Sequence, residues 1–149
     1  MKTKFLAMLL TFTVLFTSCS KDDDNNATAP TPTPAATGFK WKENDPNGTE
    51  KSAATATFST QYKTMMAKDD TGALLFEINL SGTAAGTYAI GSGNAVTYVA
   101  ENPYFVAETG AVIITSNANG KVSGTFEAFR AGSGLTRIYG TFTDIEVIP

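Results

Sequence analysis

The stretch ALLFEINL, residues 73–80, sets Leu74, Phe76, Ile78 and Leu80 on one parity and Ala73, Leu75, Glu77 and Asn79 on the other. Period two over eight residues is a strand with one face in a core and the other mostly wet. YKTMMAK (62–68) precedes it across DDTG (69–72), whose composition is that of a turn, so the two runs predict an antiparallel hairpin. A second hairpin is predicted where AVIITS (111–116) and KVSGTFEAF (121–129) flank NANG (117–120), with Gly120 free to take positive φ. In the last long run, LTRIYGTFTDIEVI (135–148), Ile138 and Phe142 share one parity while Ile145 and Val147 hold the other. The inward face must therefore switch near Asp144, and a β-bulge or bend is predicted there.

Five more runs have strand composition: FKWKE (39–43), SAATATF (52–58), GTYAI (86–90), AVTYVA (95–100) and YFVAE (104–108). No helix-length amphipathic pattern appears among them. Residues 38–149 are thus expected to form an all-β domain, an antiparallel sandwich or partly closed barrel of about nine or ten short strands. Gly-Thr-aromatic occurs at 86–88, 124–126 and 140–142. A glycine covered by a neighbouring ring explains the pattern better than an ancestral repeat does.

Ahead of this domain, residues 1–18 have the layout of a signal peptide: Lys2 and Lys4, then a largely apolar run from Phe5 to Phe16. A helix of that length rises about 18 Å, well short of the roughly 30 Å hydrocarbon core. Thr17 and Ser18 then precede Cys19, the only cysteine of the chain. The arrangement resembles the lipobox of bacterial lipoproteins, with Phe16 where Leu, Val or Ile is usual. That resemblance implies cleavage before Cys19 and acylation of its thiol and new amino group, an anchor strengthened by about 0.8 kcal/mol per buried methylene. Ser20, Lys21, Asp22 and Asp23 look like the surface-export signal of Bacteroidota lipoproteins, which implies an outer-membrane protein facing the cell exterior. The alternative is a solvated acidic start to a linker on a periplasm-facing lipoprotein. NNATAPTPTPAAT (25–37) has little to bury and completes a spacer over residues 19–37. In extended form the spacer reaches up to roughly 50 Å.

The composition narrows the chemistry. The formal charge is −3 and lysines and arginines never cluster, which argues against nucleic acid as a partner. Histidine is absent and cysteine is single, so the commonest general base and the usual zinc ligand sets are missing. No cofactor or metal site is expected. DTG at 70–72 has no second copy to make an aspartic-protease pair and fits a hairpin turn. Glu77, Glu101, Glu108 and Glu127 are the acids from which a glycosidase pair would have to be drawn. NGT at 47–49 fits a glycosylation acceptor, but DPNG is foremost a tight turn.

GTYAIG (86–91), GAVIITSNANGKVSGTFEAF (110–129) and IYGTFTDIEVI (138–148) together resemble a family of Bacteroidota lipoproteins built around an all-β domain of unknown function. The resemblance implies export and the all-β fold, and carries no site residues. The candidate ligand contacts are aromatic: Trp41, Tyr98 and Tyr104, since rings left exposed at a sandwich rim stack on sugars or dock a protein. The competing reading, favoured for Phe39 and Trp41, is that alternating aromatics belong to the core. The expected function is a lipid-anchored surface module that binds a glycan, a peptide or an outer-membrane partner and is not an enzyme. A small extracellular hydrolase with a carboxylate pair and a purely structural spacer are the rival classes.

Overall fold

The computed structural model describes residues 38–149, and the expectations over residues 1–37 lie outside the described residues: the signal peptide, Cys19, the export residues Ser20, Lys21, Asp22 and Asp23, and the spacer. The described chain is all strand and turn. Its strands are β1 Gly38–Glu43, β2 Lys51–Ser52, β3 Thr55–Ser59, β4 Thr64–Lys68, β5 Leu74–Asn79 and β6 Gly86–Ala89. They continue as β7 Ala95–Tyr98, β8 Phe105–Val106, β9 Thr109–Ala118, β10 Lys121–Phe129 and β11 Arg137–Ile148. All belong to one sheet in the order β6-β9-β10-β11-β3-β4-β5-β7-β8, with β1 against β11 and β2 beyond β1. The sheet curls around one core without closing, a partly closed barrel.

Eleven strands replace the expected nine or ten because SAATATF does not stay whole. Its first residue belongs to β2, paired with β1; from Thr55 the chain is β3, paired with β4 and, in parallel, with the end of β11. The two predicted hairpins form. β4 and β5 pair antiparallel, with a bulge that leaves Leu75 without a partner. Leu74 beside it is therefore only half-buried, while Phe76, Ile78 and Leu80 reach the core as their parity requires. β9 and β10 turn through Asn119 and Gly120, with φ of 54° and 71°. Positive φ at both central residues is the type I′ geometry whose twist matches the strands it joins.

The predicted irregularity in β11 is a bulge. Phe142 pairs with Gly124 and Ile145 with Val122, so Thr143 and Asp144 together oppose Ser123. Asp144 takes φ 52°, its amide donates to Ser123 Oγ at 2.9 Å, and burial passes from Ile138 and Phe142 to Ile145. Before the bulge β11 pairs with β1; after it, Glu146–Ile148 pair with β3. One strand therefore serves both flanks of the curl.

Six phenylalanines, Phe39, Phe58, Phe76, Phe105, Phe126 and Phe142, are fully buried. Phe76 is the hub: its ring centroid lies 4.5 Å from Tyr98, 5.0 Å from Phe39, 5.0 Å from Trp41 and 5.8 Å from Phe126. Each such ring contributes about 2–3 kcal/mol by leaving water. The later Gly-Thr-Phe copies pack reciprocally. Gly140 pairs with Phe126 and Gly124 with Phe142, and a Cβ on either glycine would collide with the partner's ring. Gly86 in the first copy has open space around it, so the three copies do not share one role.

Gly140→Ala is expected to destabilise the domain by about 2 kcal/mol through forced repacking of Phe126, lowering Tm by roughly 8 °C. Gly124→Ala should cost at least as much, since its Cβ would also meet the Ile113 backbone carbonyl. Thr125→Ala, at an exposed position between them, should cost about 0.5 kcal/mol or less. Thermal denaturation followed by circular dichroism distinguishes the two classes; equal losses would contradict the reciprocal packing.

Candidate binding cleft

Strand parity fixes which side chains of β9, β10, β11 and β1 face away from the core. Val112, Phe126, Gly140 and Trp41 point inward and are buried, so their chain neighbours point outward. Register then aligns these neighbours in rows. Ile113 pairs with Thr125, Thr125 with Thr141 and Thr141 with Lys40. In the next row Ala111 pairs with Glu127, Glu127 with Tyr139 and Tyr139 with Lys42, and beyond it Phe129 pairs with Arg137.

A cleft of about 360 Å³ lies on this face, lined by Thr125, Glu127, Tyr139, Thr141, Lys40 and Lys42, with Pro46 and Glu50 as a wall and Trp41, Phe126 and Gly140 beneath. A second hollow of about 340 Å³, with Ile113 and Phe129, continues it and shares Thr125 and Glu127. The wall stands because the segment 44–50 is tied down at several points. Asp45 accepts from the Asn47 amide at 2.8 Å and from the Gly48 amide through its carbonyl at 3.0 Å, the tight turn that DPNG predicts. Lys42 Nζ donates to the Pro46 carbonyl at 3.0 Å, and Lys40 Nζ pairs with Glu50 Oε1 at 2.7 Å.

Asn44 roots the wall. At φ 58° its side chain donates to the Gly134 carbonyl at 3.0 Å and accepts from the amides of Thr136 at 2.9 Å and Arg137 at 3.2 Å. Asparagine tolerates this left-handed conformation better than most residues because its short polar side chain bonds locally. The segment 44–50 and the β10–β11 loop are thereby joined at one end of the sheet. Arg137, the first residue of β11, lays its guanidinium 4.3 Å over the Phe129 ring and 5.6 Å over Tyr139, and donates to the Tyr139 hydroxyl at 2.7 Å.

The aromatics expected at the rim divide. Trp41 and Tyr98 are corrected to core residues, 4% and 6% exposed. Tyr98 stacks on Phe76 from the neighbouring strand, and Trp41 meets the same ring edge-on, so inward packing takes both faces from a ligand. Tyr104 is 63% exposed, in the loop before β8, where its carbonyl accepts from Arg130 Nη1 at 2.8 Å. It does not line the cleft. Tyr139, Arg137 and Asn44 did not stand out in the sequence. Tyr139 and Arg137 were signalled by lying opposite in parity to Ile138 and Phe142; Asn44 had no signal beyond following a strand.

The candidate acids scatter. Glu77 accepts from Asn79 Nδ2 at 2.8 Å, Glu108 accepts from the Ala131 amide at 3.0 Å, and Glu101 is in the 99–104 loop. Only Glu127 lines the cleft, opposite Glu50 in the wall. The hydrogen bond from Lys40 holds the Glu50 carboxyl below the ordinary carboxylate range. In the DTG turn, Asp69 accepts from the Thr71 hydroxyl at 2.7 Å and the Ala73 amide at 2.8 Å, which lowers its pKa and accounts for the turn structurally. No group of three or more potential metal-ligating His, Cys, Asp or Glu side chains occurs among the described residues. No family model, no curated protein and no solved structure matches the chain.

Beside the cleft's inner end, Glu43 accepts from Lys51 Nζ at 2.6 Å and Trp41 Nε1 at 3.2 Å. Partial burial pushes the Glu43 carboxyl up, but these donors outweigh it and hold it low. Burial, reinforced by the negative charge of Glu43, pushes the Tyr98 phenol from 10.0 to about 12. A pKa raised on folding stabilises below the unfolded value, and that contribution is lost as pH climbs from 10.0 toward 12. Phenolate absorbance should therefore show a step near pH 12, and Tyr98→Phe should remove that step. A late step that survives Tyr98→Phe would contradict the assignment.

Proposed function

We propose that the chain is an exported lipoprotein anchored through Cys19 whose β domain binds an extracellular glycan on the outer face of β9, β10, β11 and β1. The observation that carries the binding role is the walled cleft over Tyr139, built from outward residues that the core does not use. An aromatic ring offers a flat apolar surface to a sugar's C–H face, while Thr125, Thr141 and Glu127 supply hydroxyl and carboxylate partners for its hydroxyls. The volume lies at the lower end of small-molecule sites, suited to one or two sugar rings.

Placement rests on the sequence. The signal-peptide layout, Cys19 and the Lys-Asp-Asp run after it support an outer-membrane anchor with the domain facing the exterior, and so does the resemblance to Bacteroidota lipoproteins. A periplasm-facing anchor is the alternative. Hydrolysis is the second reading, because Glu50 and Glu127 share the cleft. Such a pair needs one carboxyl kept ionised and one raised, and the hydrogen bond from Lys40 holds Glu50 in the ionised range.

Mass spectrometry of the mature protein is expected to find an acylated Cys19 at the N-terminus, and Cys19→Ser should shift the protein from the membrane to the soluble fraction. An unmodified thiol would remove the anchor. On a glycan array the wild-type domain is expected to bind a subset of oligosaccharides, with Tyr139→Ala weakening binding by about tenfold or more. Retained binding in Tyr139→Ala would move the site elsewhere, and Tyr104→Ala would then test the loop before β8.

A further inference from the structure

Arg137 differs from most cations near the cleft; Lys42, which lines it, also lacks a carboxylate partner among the described residues but donates its Nζ to the Pro46 carbonyl at 3.0 Å. Lys40 is paired with Glu50 and Lys51 with Glu43, while Arg130 is committed to the carbonyls of Tyr104 and Leu135. The Arg137 side chain is exposed and has no carboxylate within ion-pair distance among the described residues. Its single side-chain hydrogen bond goes to the Tyr139 hydroxyl, so the remaining N–H donors are unpartnered among those residues. It is nonetheless held in place. The guanidinium lies over the Phe129 ring and is tied to the Tyr139 hydroxyl, and Asn44 fixes the Arg137 backbone amide and carbonyl.

A stacked guanidinium with a free edge is pre-set for a bidentate carboxylate, since little side-chain freedom is left to lose on binding. Arg137 is not itself in the lining; it sits beside the cleft at the hydroxyl end of Tyr139, which lines it. Lys42, paired across strands with Tyr139 and bonded to the Pro46 carbonyl, adds a second cation. Two acids also face the cleft. Glu50 is neutralised by Lys40, but Glu127, paired across strands with Tyr139, repels a carboxylate while accepting hydroxyls. A sugar seated on Tyr139 is thereby oriented, with its hydroxyls toward Glu127 and any carboxylate away from it.

We propose that the cleft selects acidic oligosaccharides and that Arg137 is the residue that reads the uronate carboxylate. The inference rests on the glycan-binding role set out above. Calorimetric titration of the full-length lipoprotein in detergent compares three probes, trimers of galacturonate, mannuronate and glucuronate, each with its neutral methyl ester. At least one free acid is expected to bind about tenfold more tightly than its ester, with the gap narrowing as salt rises. Arg137→Gln should erase that gap, read as the ratio of acid to ester affinity within the variant because Arg137 also holds the Tyr139 hydroxyl. Arg137→Lys should restore only part of it, because the fork is lost. Esters that bind as tightly as the acids would overturn the uronate selection and leave glycan binding standing. An acid preference that survives Arg137→Gln would overturn the role of Arg137. If no acid or ester in the panel binds while the glycan array shows binding to neutral sugars, acidic selection fails alone; silence in both assays removes glycan binding itself.

Discussion

One additional residue in β11 governs the architecture. Without a bulge at Thr143–Asp144, strict alternation would send Ile145 and Val147 to the face opposite Phe142, and half of the strand's apolar set would meet water. The bulge restores Ile145 to the core and bends the strand. The same bend lets β11 leave β1 and take up β3 in parallel. Bulges are also aligned across the neighbouring strands, since Thr115 in β9 is the unpartnered residue opposite Ser123 and Gly124. The Thr115 hydroxyl donates to the Ser123 carbonyl at 3.0 Å, and the Asp144 amide donates to Ser123 Oγ. Three strands thus bend at one level, and the curl that encloses the phenylalanines is a property of that line rather than of any loop.

The curl in turn decides which side chains are left for function. Trp41, Phe39, Phe76, Tyr98 and Phe126 are consumed by one another in the interior, because a ring that can meet several rings gains more there than at a rim. Reciprocal glycine–phenylalanine pairing at 124/142 and 126/140 lets β10 and β11 carry large rings without crowding. On the reverse side of those strands the outward positions are threonine, glutamate, tyrosine and lysine. The cleft is therefore the outer face of the best-packed part of the sheet, which makes its floor stiff.

Much of this was legible because period-two patterning and turn chemistry are local. ALLFEINL, Asn119-Gly120 and the parity switch in IYGTFTDIEVI each specify their own geometry within a dozen residues. The division of SAATATF was not legible, since it depends on which strand lies beside each half, and Ala53 and Ala54 are unremarkable in either state. Exposure of Trp41 and Tyr98 failed for a related reason. A rim and a core ring look alike in sequence; only their common partner, Phe76, arriving from a distant strand, makes both of them interior. Asn44 was hidden because its partners, Gly134, Thr136 and Arg137, are about ninety residues away in the chain.

The stiffness of the cleft bears on how a tethered module would work. Tyr139 and Arg137 are held before any ligand arrives, so binding need not pay for ordering them. Yet the cleft is shallow and open to water, its lysines are only half-buried, and charge contacts there are screened. Affinity at a single copy is therefore expected to be modest. With a lipid anchor at Cys19 and a spacer of residues 19–37, many copies would lie on one surface and face a polymeric ligand together. Each further contact along the polymer then becomes intramolecular, and weak sites sum to firm retention without any new contact. A shallow, rigid cleft is poor design for capturing a free small molecule and adequate design for holding a chain of repeating sugars at a membrane.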